Sequence, residues 1–128
     1  MLVVLFAVLA ALAGIVVDGG AQLIADENAV AVAQEAARAG AMTVDESAAY
    51  SSGSFVVSQQ RALAAARSYL IRAGYHRFAV APDGARSITV SVAVTEPTRF
   101  LSLIGVDSFT STGTATASLM IGVTGAAR

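Results

Sequence analysis

From Leu2 to Val17 the chain carries sixteen consecutive residues without a polar side chain, followed by Asp18-Gly19-Gly20 and a further mostly apolar stretch to Ala25. Sixteen helical residues span about 24 Å, short of the roughly 30 Å hydrocarbon layer, and residues 19–25 extend the run to the length of a membrane span. The helical pattern then continues. No proline occurs between Asp18 and Ala41; Glu27, Asn28, Gln34, Glu35 and Arg38 fall on one arc at 100° per residue, and Ala25, Ala29, Val32, Ala33 and Ala36 on the opposite one. The pattern predicts one helix of about 40 residues, apolar all round in its first half and amphipathic in its second, with Gly40 as its C-cap.

Thr43 to Ser54 is rich in Ser, Ala, Asp, Glu and Gly without periodicity and reads as a loop. A second helix is predicted from an N-cap at Ser58 to Gly74, with Leu63, Ala66, Leu70 and Ala73 on one face. The rest has the period of strands. Arg77–Ala81 is a short strand and Pro82-Asp83-Gly84 a turn. Ser87 to Thr95 alternates, with Ile88, Val90, Val92 and Val94 inward, and Pro97 ends it. Thr98 to Gly105 makes one helical turn carrying Phe100, Leu101 and Ile104. Phe109 to Val123 is a last strand with Thr110, Thr112, Thr114 and Thr116 facing solvent. The predicted fold is α+β: a long N-terminal helix, a second helix and a three-stranded antiparallel sheet with both helices on one side.

Three readings of the apolar run compete. A buried core helix needs a larger protein around it than 128 residues supply. A removable signal peptide fits the length, with Ala11-Leu12-Ala13 as a small-residue cleavage pattern, and makes the rest a secreted binding or adhesion domain; it lacks a basic n-region. The unbroken continuation into an amphipathic half favours a retained anchor, with residues 1–25 in the membrane and 26–128 as an extracytoplasmic domain.

Composition sharpens this picture. The chain is 55% hydrophobic and 13% charged, about half the charged share of an ordinary soluble domain. Net charge is −1 with no basic run, so no nucleic-acid surface is expected. There is no cysteine, which removes disulfides, thiolate chemistry and cysteine-ligated zinc. His76, the only histidine, has no second metal-ligating partner at a useful spacing, and no serine sits in a nucleophile-elbow glycine pattern. Asp45, Glu46, Asp83 and Asp107 lack the alternating oxygen-ligand spacing of a calcium loop. No enzyme, cofactor, metal or small-molecule substrate is expected.

The side chains singled out for helix packing or register are Asp18, Gly19, Gly20, Ala25, Ala29 and Ala36. Asp18 either marks the water interface or pairs with a charged group on a neighbouring subunit, because an unpaired carboxylate in lipid is costly. Gly19 and Gly20 form a flexible joint or allow close packing, and the alanine face lets a neighbour approach closely.

The run Gly14-Ile15-Val16-Val17-Asp18-Gly19-Gly20 followed by Gln34-Glu35-Ala36-Ala37-Arg38-Ala39-Gly40-Ala41 resembles the N-terminal helix of TadE/TadG-like Flp (tight adherence) pilus-assembly proteins. Ala64-Ala65-Ala66-Arg67-Ser68-Tyr69-Leu70, and Ile104-Gly105-Val106-Asp107-Ser108 leading into a Thr/Ala strand, look like the actinobacterial members. The resemblance covers most of the chain. It implies a membrane-inserted pseudopilin with a type IV pilin-like fold, whose partners are the membrane, other pilin-like subunits and the pilus-assembly platform. TadE-type members carry a glutamate early in the apolar helix, whereas here no acid precedes Asp18.

Overall fold

A computed structural model describes residues 1–43 and 59–119. Helix α1 (Leu2–Ala41) runs unbroken for 40 residues, about 60 Å, and helix α2 spans Gln59–Arg72. Strands β1 (Phe78–Asp83), β2 (Ser87–Pro97) and β3 (Ser108–Ser118) form an antiparallel sheet in the order β1-β2-β3. A short 3-10 turn, Leu101–Ile104, lies between β2 and β3. The α+β architecture expected from the pattern is therefore the observed one. The loop expected over Thr43–Ser54, the Ser58 cap, and the part of the last strand beyond Leu119 lie outside the described residues.

Both helices pack on one face of the sheet. β2 is central and its alternation places Ile88, Val90 and Val92 in full burial, with Val94 half-buried. From α2 come Ala62, Ala66 and Leu70, and from α1 Ala33, Ala36 and Ala37, closing a core in which Leu70, Ile88, Val90 and Val92 are the largest fully buried side chains. Burying each of these four is worth about 1.5–3 kcal/mol. Gln59 ties the start of α2 to the first hairpin, its amide donating to the carbonyls of Gly84 (3.0 Å) and Ser87 (2.9 Å).

The outer face of the sheet is hydroxylated. Thr89 pairs with Thr116 (2.8 Å), Ser91 with Thr114 (3.1 Å) and Thr95 with Thr110 (3.2 Å), a ladder of cross-strand hydrogen bonds. Among the boundaries that differ from the sequence pattern, two bear on the packing. Pro82 and Asp83 are the last residues of β1, paired with Ile88 and Ser87, and the turn is 84–86. Pro82 is tolerated there because β1 is an edge strand. Gly40 lies inside α1 and not at its cap: a Cβ there would lie 2.7 Å from the Ala62 carbonyl oxygen and 2.6 Å from Ile88 Cδ1, so α1, α2 and β2 meet at this point.

On α1 the buried positions are Gly14, Asp18, Ala25, Ala29, Ala33, Ala36, Ala37 and Gly40. Apart from the adjacent pair Ala36-Ala37 they recur every three, four or seven residues and so form one line along the helix. The facing strand is equally small, with Ser111, Gly113, Ala115 and Ala117 on the inner side of β3. Two small surfaces allow backbone to approach backbone. A Cβ on Gly113 would overlap the Ala29 carbonyl carbon and the Val30 nitrogen, so the helix rests directly on the strand.

Candidate functional site

The first half of α1 is long and apolar enough to cross a membrane, and its side chains are exposed, among them Leu2, Phe6, Leu9, Leu12 and Val16. Where this segment meets the domain, one polar side chain is enclosed. Asp18 is 2% exposed, and its carboxylate accepts hydrogen bonds from three successive backbone amides: Oδ1 from Arg99 (3.1 Å), and Oδ2 from Phe100 (3.0 Å) and Leu101 (2.7 Å). These are the orphan donors at the start of the 3-10 turn. The residue at its N-cap position is Phe100, which has no side-chain oxygen to satisfy them, so a carboxylate from a distant helix does so.

One turn of helix earlier, Gly14 gives the contact its closeness. A Cβ at position 14 would lie 2.8 Å from Phe100 Cβ, so the ring of Phe100 is seated against α1 only because position 14 has no side chain. The rest of the connection is bonded to itself. Thr98 N–H donates to the Asp107 carbonyl (3.0 Å) and Val106 N–H to the Leu101 carbonyl (3.0 Å), while the Thr98 hydroxyl donates to the Val106 carbonyl. Together with α1, the turn borders an open apolar groove of about 560 Å³ lined by Ala7, Ala10, Ala11, Gly14, Leu103 and Ile104.

Of the residues singled out in the sequence, Asp18, Ala25, Ala29 and Ala36 lie on the buried line of α1 against this chain's own strands and turn. Gly19 and Gly20 do not join them. Both are exposed, a Cβ on either meets nothing within 4 Å, and the helix passes through them without interruption. Gly19→Ala and Gly20→Ala are therefore expected to stabilise the fold by about 0.5–1 kcal/mol each through helix propensity, raising the thermal midpoint of the full chain in detergent by a few degrees. A fall in the midpoint would show that the glycine pair is needed in a non-helical form.

The pairing of Asp18 with residues 99–101 was not visible in the sequence, since the acceptors' partners are backbone amides that no side chain advertises. A faint signal existed: an apolar turn, Phe100 to Ile104, with no capping side chain at its N-cap position, and one acid at the end of an apolar helix. Among the described residues no group of three or more His, Cys, Asp or Glu side chains converges to hold a metal. The site is a structural junction, in which a helix side chain and a turn fix each other.

No family model, curated protein or solved structure matches this chain.

Proposed function

We propose that the chain is a pilin-like structural or assembly subunit of a Tad/Flp-type pilus or related secretion machine, held in the membrane by the first half of α1 with its α+β domain on the extracytoplasmic side. The observation that carries this reading is the division of labour along one helix: exposed apolar side chains over residues 2–17, then a line of alanines that forms the spine of the domain. A helix built in this way presents its apolar end to lipid or to like helices of neighbouring subunits while the domain stays folded. The order and spacing of the segments that resemble TadE/TadG-like proteins support the same assignment. Its work is binding and assembly, not turnover.

The test is to fractionate cells expressing the full chain with a C-terminal tag and to determine the N-terminus of the mature form by mass spectrometry. A membrane-bound product that keeps Leu2 to Val17 is expected. A soluble product beginning near Gly14 would instead establish a secreted domain released from a signal peptide.

A further inference from the structure

We propose that the 98–107 connection enters the lipid layer beside α1 as a second, non-helical membrane contact. The inference rests on the anchoring role of α1 proposed above, and four observations carry it. The first is position. The Asp18 bonds and the Phe100–Gly14 contact direct the turn back toward the N-terminal end of α1, where Leu103 and Ile104 border the same groove as Ala7, Ala10 and Ala11. Ala10 precedes Asp18 by eight residues, about 12 Å along the axis. If the lipid boundary lies at the level of Asp18, the tip of the turn lies on its lipid side.

The second is side-chain chemistry. No charged residue occurs from Phe100 to Val106, and Leu103 is 83% and Ile104 74% exposed, with Phe100 and Val106 also open. Such a patch facing water marks an unfilled contact. The third is the backbone. An unsatisfied backbone polar group in lipid costs several kcal/mol, so a non-helical turn enters only as far as its polar groups are bonded within the protein or reach the headgroup region. Here the N–H groups of Thr98, Arg99, Phe100, Leu101, Leu103, Gly105 and Val106 all have partners within the protein. The Ser102 hydroxyl turns back to the Arg99 carbonyl (3.4 Å).

The fourth is the placing of charge. Asp18, Arg99 and Asp107 stand at the base of the turn and flank its apolar residues, while none lies between Leu2 and Val17. A shared charged level below which both segments are apolar is what a water–lipid boundary requires. Acyl chains then occupy the groove between turn and helix.

Because the chain has no cysteine, single labels report cleanly. Full-length Leu103→Cys, Ile104→Cys, Phe6→Cys and Thr114→Cys variants, each carrying an environment-sensitive fluorophore, are reconstituted into phosphatidylcholine vesicles and quenched either by nitroxides on the lipid chains or by aqueous iodide. All four positions are exposed, so the labels leave the core intact. The expected result is that labels at 103 and 104 respond to the lipid nitroxide as the label at 6 does, and that the label at 114 responds to iodide. Iodide quenching at 103 and 104 with lipid quenching at 6 would overturn the proposal and leave the helix anchor standing. Shielding of 103 and 104 from both quenchers, with cross-links forming between chains, would overturn it in favour of a second copy. Iodide quenching at position 6 would remove the anchor itself, and the turn's insertion with it.

Discussion

Gly113→Ala is expected to be the most damaging single-atom change in the domain. The added Cβ would overlap the Ala29 carbonyl carbon and the Val30 nitrogen. Those atoms belong to the middle of a long helix and cannot turn aside as the end of a flexible side chain would. α1 must lift from β3, and the alanines that follow the same line lose contact together. Overpacking a well-filled core costs about 1–3 kcal/mol when side chains can adjust. Here backbone must move, and a loss of about 3 kcal/mol or more is expected, a fall in thermal midpoint of roughly 12–24 °C for a domain of this size. Circular dichroism melts of the full chain in detergent measure it, with Gly19→Ala as a control of opposite sign. An unchanged midpoint for Gly113→Ala would mean that α1 does not lie directly on β3.

The second large effect is local. Asp18→Ala removes the acceptor for three amides at once and leaves nothing at the start of the turn to replace it. Hydrogen exchange at Arg99, Phe100 and Leu101 is expected to accelerate on the order of tenfold to a hundredfold, the factor that corresponds to losing a hydrogen bond to a charged group. Asp18→Asn keeps an acceptor oxygen but loses the charge and one acceptor position, so intermediate protection is expected. Amides in the middle of β2 are the internal reference, since Ile88, Val90 and Val92 do not depend on the turn. Equal exchange at positions 99–101 in the wild-type and Asp18→Ala proteins would mean that Asp18 does not hold the turn.

Much of the architecture was legible in residue patterns because its causes are local or periodic. The length of α1 follows from a proline-free run whose polar residues fall on one arc, and Glu27, Asn28, Gln34, Glu35 and Arg38 are indeed exposed while Ala25, Ala29, Ala33 and Ala36 are buried. β2 is legible for the same reason, since its large β-branched residues alternate with small polar ones. The strand boundary at Asp83 was not, because proline and glycine in sequence look like a turn unless the strand is known to be an edge.

What the patterns concealed is the line on α1 that binds the domain. Gly14 and Asp18 sit in a stretch where hydrophobicity has no preferred direction, and an all-apolar helix gives no hint of which side faces protein. Gly113 was hidden differently. Within an alternating Thr/Ala strand a glycine carries no side chain to count, although it marks the closest approach in the structure. The junction of Asp18 with Arg99, Phe100 and Leu101 joins positions more than 80 residues apart through main-chain groups, which single-sequence reasoning has no means to pair.

The single line of contact along α1 has a mechanical meaning. Its attachments begin at Gly14 and Asp18, pass through Ala25, Ala29 and Ala33, and end at Gly40, so the domain is fastened at intervals along one side of the helix from residue 14 to residue 40. A tug on residues 2–17 along the axis therefore loads every attachment in shear at the same moment, whereas a sideways force would have to peel them in turn starting from the carboxylate. The domain cannot swivel about the rod that carries it, and traction applied to the apolar end arrives at the sheet with its direction preserved.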